Sequence, residues 1–486
     1  MRVSQQGRYK QWQLQLENIA PTRPEENAPV DAVVSPRLEV SEFADWPDVA
    51  KWADALYRVP DDLSPELRAA IAELRAGSAD SRQRVRQALK LVQEQVRYVG
   101  VEIAEGSYRA AHPSDVFKRR YGDCKDKSLL LAAILRALGE QARPALVSTW
   151  AGRAAQDWMP MPALFDHMIV QVQVAGQTYW LDPTRSHQEG GLERIGMTPF
   201  HWALVTGAAA TSLAEVQVPT GYRQGVDMRY EYTVTDYQGP VELKATVTFS
   251  GALAEGARAA IAEAPTEALG DELFADVQRM HSGASAVGAP EVRDDTEENS
   301  VSVTQAFSVP EMFAAQGDDL HAQFVAVPIH DLAEPPARPQ RTLPLVLPYP
   351  FAVTTSIDVQ LPDDVPMRAL GPVRVEDGNL EFTVSRSYAA RRLVVRYAVV
   401  YKRDAVPAAE VAAYARTLRE VRTKVAYHLT VANGVELARR RALETRQLQG
   451  KLEPAVVADV DIGFAREKVQ RGGPAPSPGS AGRKQR

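Results

Sequence analysis

The sequence predicts an α+β fold whose core is one buried helix laid on an antiparallel sheet, with β-rich regions around it. Three observations predict it. The run Cys124 to Leu138 is apolar nearly all round (Leu129, Leu130, Leu131, Ile134, Leu135, Leu138). A helix hydrophobic on every side belongs in the centre of a domain. Residues 142–149, 168–174 and 178–182 then read as three strands, the last two a hairpin about Ala175-Gly176-Gln177. From about residue 221 onward, alternation of period two takes over.

The elements follow in order. Residues 8–40 read as a strand, with Trp12, Leu14 and Leu16 alternating, and then an extended, Pro-containing segment. A strand that begins at once, without a secretory signal before it, reads as a chain that starts inside a domain. Asp45-Trp46-Pro47 opens a helix by N-cap and N1 logic that runs to about Tyr57, and a second helix opens near Pro65. Asp80 or Ser81 caps a third, with Val85, Leu89, Val92 and Val96 at helical spacing. Its basic residues (Arg82, Arg84, Arg86, Lys90) read as a solvated face. Pro113 to Arg120 makes a short helix before the buried one, and Gly139 ends the buried one as a left-handed C-terminal residue.

Farther on, Tyr230 to Asp236, Val241 to Phe249 and Val301 to Phe307 read as strands, with amphipathic helices at roughly 252–263 and 267–280. The Pro-rich stretch Pro335 to Pro350 reads as a boundary between an α+β domain at 221–334 and a β-rich domain at 350–403. In the latter, Ile357 to Leu361, a hairpin turning at Asp377-Gly378 and Leu393 to Tyr401 suit an antiparallel sandwich. Residues 407–449 are helical by pattern, and 472–486 read as a disordered tail.

Composition narrows the function. The 486 residues are 45% hydrophobic and 24% charged, the balance of a globular chain long enough for about three domains. A net charge of -6 with both signs interspersed gives no basic surface for nucleic acid. The longest apolar run, Leu129 to Leu135, is too short for a transmembrane segment. Cys124 is the only cysteine, so an internal disulfide is excluded and a thiolate zinc site is disfavoured.

That cysteine opens the buried helix, where the helix dipole favours negative charge on sulfur and the backbone N–H of Cys124 can donate to an oxyanion. His167 opens one strand of the hairpin and Asp182 closes the other, so both lie at the same end of the sheet, offset in register rather than directly opposite. Cys, His and Asp in that order are the parts of a thiol acyl-transfer site, the Asp orienting the imidazole. In this reading Gly122 lets substrate approach the backbone and Asp123 orders the turn. Taken singly, a cysteine is a small buried hydrophobe, a strand-opening His structural and an Asp before Pro a turn residue. His112, His187 and His201 are read as structural. A metal site from His112, Asp123 and Asp126 lacks a third neutral or soft ligand, and no loop has the ligand spacing of an EF-hand.

These residues resemble the transglutaminase-like superfamily, with Gly-Asp-Cys, a later His before a strand and a later Asp-Pro-Thr. The fuller runs Arg120-Tyr121-Gly122-Asp123-Cys124-Lys125-Asp126-Lys127, Phe165-Asp166-His167 and Tyr179-Trp180-Leu181-Asp182-Pro183-Thr184 resemble one bacterial branch, in which a β-rich domain of unknown function precedes the core. The resemblance implies a papain-like core at 61–210, preceded at 1–60 by the end of that β-rich domain. It implies Cys124 as nucleophile, His167 as base and acid, and Asp182 as orienter. It implies a peptide or protein substrate, an amine acceptor where transfer occurs, no cofactor, and for most branch members a site outside the cytoplasm. Cross-linking relatives use an upstream tryptophan at the oxyanion. No tryptophan lies between Trp52 and Trp150, so Tyr98 or a backbone group would have to serve and cross-linking is disfavoured. The rival from another class is a catalytically silent envelope scaffold that binds through its β regions.

Overall fold

The computed structural model describes residues 2–452, except 20–23, 30, 33–36, 101–107, 208–211, 220, 221, 223, 264–266 and 368–370. The tail expected at 472–486 lies outside them. The chain divides into two compact units, Met1–Val435 and Glu436–Arg486.

The chain opens with the hairpin β1 (Arg2–Gln6) and β2 (Tyr9–Gln13), followed by α1 (Trp46–Tyr57), α2 (Pro65–Gly77) and α3 (Ser81–Gln95). Asp45 caps α1 by accepting from Asp48 N at 2.9 Å, and Asp80 caps α3. Next come β3 (Arg97–Tyr98), α4 (Pro113–Arg119), β4 (Tyr121–Gly122) and α5 (Cys124–Leu138), the predicted central helix. Gly139 ends α5 at φ 103°, a left-handed position that glycine takes without steric cost. Strands β5 (Gln141–Val147), β6 (His167–Val174), β7 (Gln177–Leu181), β8 (Trp202–Val205) and β9 (Ala214–Glu215) form one antiparallel sheet in the order β7-β6-β5-β8-β9.

Alternation along β6 serves two cores. Val170, Val172 and Val174 meet Leu130, Leu131, Ile134 and Leu135 of α5, while Ile169 packs with Trp180, Phe200 and Ala203 on the other face. Each such side chain contributes ~1.5–3 kcal/mol of burial. Helix α1 was expected in a preceding domain. It instead packs Val49, Ala50, Ala53 and Tyr57 against Cys124, Leu146 and Met168. Its apolar stripe has to be covered, and the mouth of the core covers it.

The second half consists of β10 (Gly225–Thr233), β11 (Val241–Ser250), α6 (Ala252–Glu263), α7 (Glu267–Met280), β12 (Ser285–Asp295), β13 (Ser300–Val309), β14 (Ala314–Gln316) and β15 (Asp319–Val325). Helix α8 (Val327–Leu332) and strands β16 (Leu345–Val346), β17 (Ala352–Gln360), β18 (Val373–Glu376), β19 (Leu380–Ala389), β20 (Arg392–Tyr401) and β21 (Ala405–Val406) follow. The first unit then ends with α9 (Val411–Arg422), β22 (Ala426–Val431) and the start of α10 (Gly434–Leu452).

The separate domains expected at 221–334 and 350–403 share one eight-stranded sheet, in the order β12-β13-β11-β10-β17-β20-β19-β18. The Pro-rich stretch carries the chain across, and β17 joins β10 in parallel from Gly225↔Ala352 to Thr233↔Gln360. The expected sandwich after residue 350 is therefore half of that sheet. The helical reading of 407–449 is also interrupted. Ala426 to Val431 carries Tyr, Thr and Val, which suit a pleated surface, and pairs with β15 as a strand with Leu429 and Val431 buried.

A polar network joins the large sheet to the core. The buried Glu255 of α6 accepts from Arg185 at 2.8 Å and from Gln188, while Arg258 donates to Asp294 and to Asn299 at 2.6 Å. In the second unit, Arg440 donates to Glu436 at 3.2 Å within α10.

Candidate active site

Asp123 is the N-cap of α5. Its Oδ1 accepts from Lys125 N at 2.9 Å and Asp126 N at 3.1 Å, and its Oδ2 accepts from Lys125 Nζ at 2.8 Å. The cap takes the second and third N–H groups of the helix and leaves that of Cys124, the first residue, outside it. Cys124 is buried, at 5% exposure. Ser128, one turn on, donates to Met168 O at 2.9 Å and fixes the helix start against β6.

The backbone that delivers His167 is pinned just before it. Asp166 accepts from Thr149 N at 2.8 Å, and Asp166 N donates to Val147 O. His167 Nε2 and Asp182 Oδ2 are 2.9 Å apart. The register, Val170↔Leu181, leaves Asp182 across from Ile169, a diagonal neighbour of His167 on the same sheet face. The predicted offset is thus bridged by the side chains. Asp182 is held from elsewhere too: Oδ1 accepts from Thr184 N at 2.9 Å and Thr184 Oγ1 at 2.6 Å, and its carbonyl accepts from Gln93 at 3.0 Å. This accounts for the Asp-Pro-Thr sequence, in which threonine closes the turn on the carboxylate.

Burial by itself would push the His167 imidazole down. The Asp182 hydrogen bond, a hydrogen bond to Cys124 and the charges of both outweigh it, and the ring is held up at about 10. Asp182 is buried, which would raise its carboxyl, yet His167 and Thr184 hold it below the ordinary carboxylate range. Phe200 packs on the imidazole, ring centres 5.7 Å apart. Because the folded chain holds the His167 proton more tightly than the unfolded one, this group stabilises fully below pH about 6.5. The contribution is lost as pH climbs toward about 10. The expected result is a melting-temperature gap between wild type and His167→Gln that is level below pH 6.5 and shrinks steadily up to about 10, measured by scanning calorimetry.

Cys124 and His167 line one cavity of ≈ 290 Å³ together with Trp52, Tyr57, Tyr108 and Phe165. Sequence reasoning missed these aromatic walls, since Trp52 and Tyr57 lie on α1, more than sixty residues upstream of Cys124. It missed Lys127 as well. This lysine is 2% exposed, donates to Val96 O, and is pushed down to about 8 by burial against the opposing pull of Asp182. Its appearance in the Lys-Asp-Lys run after Cys124 was the available signal.

Tyr98 sits half-exposed on β3, outside the described residues that line this cavity. Gly122 makes room for a neighbouring side chain: a Cβ there would meet Asp126 Cβ at 2.6 Å and Oδ2 at 2.8 Å. Asp126 cannot withdraw, because its Oδ1 accepts from Ala111 N at 2.7 Å and its Oδ2 from Arg119. Gly122→Ala is expected to cost ~1–3 kcal/mol in denaturant unfolding through overpacking. His112 caps α4 by accepting from Ser114 N at 3.3 Å, so His112 and Asp123 hold backbone groups of their own turns, while Asp126 holds that of the distant Ala111. Among the described residues, no group of three His, Cys, Asp or Glu could hold a metal ion, and no helix is long and apolar enough to cross a membrane.

The comparisons bear on the fold of the core. The family model of the transglutaminase-like superfamily matches residues 68–182. A crystal structure of a "putative protease" from Parabacteroides distasonis superposes with TM-score 0.52 at 11% identity, over 86% of this chain. The present chain spans 65% of the length of that structure. The periplasmic domain of TgpA from Pseudomonas aeruginosa aligns over 28% of this chain and 47% of its own, at 23% identity and TM-score 0.19, an overlap too slight to carry an argument. No curated protein matches. Through residues 68–182, this chain carries the core of the transglutaminase-like superfamily.

Proposed function

We propose that the chain is a thiol-dependent hydrolase or acyltransferase acting at an amide bond of a peptide or protein. The observation that carries this reading is the bonded His167–Asp182 pair, with the imidazole held protonated near neutral pH, in one cavity with the only cysteine at the first position of a buried helix. Asp182 holds Nε2, which leaves Nδ1 for the sulfur. An imidazolium in that place favours a thiolate beside it.

The cycle follows from these groups. The Cys124 thiolate attacks the amide carbon, and the carbonyl oxygen takes up negative charge. The uncapped N–H of Cys124 supplies one donor for it. Tyr57 supplies a phenol at the cavity wall, kept protonated first by burial and then by the charges of Cys124 and Asp123. It takes the place proposed for Tyr98 in the sequence reading. His167 passes its proton to the leaving amine, the C–N bond breaks and a thioester remains on Cys124. Water, or an amine where one is present, gives a proton to His167 and attacks the thioester, releasing acid or a new amide and restoring the ion pair.

Rapid quenching in acid after mixing with an activated amide or ester should show, by intact mass, the acyl group added once and mapped to Cys124. Turnover without any adduct under single-turnover conditions would remove the acyl-enzyme. No observation favours the scaffold reading over this one.

A further inference from the structure

Beyond Cys124 and His167 the cavity continues. A second hollow of ≈ 470 Å³ shares the walls Trp52, Tyr108 and Pro162 with the first and extends over Phe43, Leu56 and Met161. Its rings stand edge to face, Phe43 to Trp52 at 6.2 Å and 75°, Trp52 to Tyr108 at 5.7 Å and 76°. This arrangement is favourable for aromatic quadrupoles and holds each ring upright against its neighbour. Tyr108 is 55% exposed and Val40 72%, so apolar surface stands open to solvent here. Among the described residues of this wall, the charged one is Glu42.

We infer that this hollow is a specificity subsite that takes an aromatic or branched aliphatic side chain beside the scissile amide of the substrate peptide. The inference rests on the reading of Cys124 as nucleophile. Continuity fixes the occupant: three residues wall both hollows, so a peptide whose carbonyl lies over Cys124 has its neighbouring side chain within reach of the second. The volume suits one large side chain, and its apolar lining gains most from a group that leaves water. Glu42 at the wall repels an acidic one.

The test uses the full chain and a set of acetyl-dipeptide acyloxymethyl ketones that differ only in the side chain next to the reactive ketone: Phe, Leu, Ala, Lys or Asp. Iodoacetamide serves as the probe with no side chain. The thiolate displaces the carboxylate leaving group and forms a thioether, so the second-order inactivation rate reports binding of the side chain. The expected order is Phe and Leu above Ala by ~10–100-fold, with Asp slowest. Ala163→Asp, on the exposed wall of the outer hollow only, should erase the Phe and Leu advantage and leave the iodoacetamide rate within about twofold of wild type. Tyr108→Ala should shrink the same advantage. Equal rates for all side chains, with iodoacetamide still labelling Cys124, would overturn the subsite and leave the nucleophile standing. Failure of iodoacetamide to label Cys124 would overturn both.

Discussion

Replacing Cys124 with alanine is expected to abolish turnover of any amide or ester that the wild-type chain processes, a drop of ~10⁶ in kcat. No second thiol exists in the chain. The nearest hydroxyl on the same helix, Ser128, is committed to the Met168 carbonyl, and the Tyr57 phenol is held protonated by burial. The substitution removes one sulfur from a buried helix position that alanine fills well, so circular dichroism and melting temperature should change little. His167→Ala should be comparably severe, and the double variant should lose little more than either single one, because members of a triad act as a unit.

Asp182→Asn should lower kcat by ~10²–10⁴ while the fold persists. After burial, the Asp182 hydrogen bond is the largest influence on His167, and with Cys124 it keeps the ring charged. An amide gives up that charge and lets the ring swing or take the wrong tautomer. The imidazole should then titrate well below about 10, so the alkaline limb of the pH–rate profile should move down as kcat falls. A residue that only packed the hairpin would lower kcat without moving that limb. Lys127, buried and within the field of Asp182, would also lose that charge, and a modest fall in melting temperature should accompany the kinetic loss.

Local chemistry was legible in the sequence. The apolar run after Cys124, its Gly139 terminator and the Asp45 and Asp80 caps all carry their causes within a few residues. The same holds for the hairpin that brings His167 and Asp182 to one end of the sheet. What the sequence hid depends on contacts between distant segments. Gly122 looks like an open approach until Asp126 is found against it, held in place by Ala111 and Arg119. Trp52 and Tyr57 look like the apolar stripe of an ordinary helix, and nothing local says that α1 lies across the cysteine. The parallel pairing of β10 with β17 joins residues more than a hundred apart, and the Pro-rich stretch between them reads the same as a linker or a crossover. Glu255 and Arg258, three apart on α6, pass for a solvated pair until Gln188, Asn299 and Asp294 close around them.

The central claim is that Cys124 is an activated nucleophile rather than a buried structural thiol. Iodoacetamide labelling of the folded chain at about pH 6, followed by mass spectrometry, tests this most directly, with the chain unfolded in denaturant at the same pH as reference. The account predicts one adduct per chain, on Cys124, formed at least ~10-fold faster in the folded state than in the unfolded one, since an ordinary thiol is almost wholly protonated there. A folded chain whose Cys124 stays unmodified, or reacts only as fast as it does unfolded, would contradict the account.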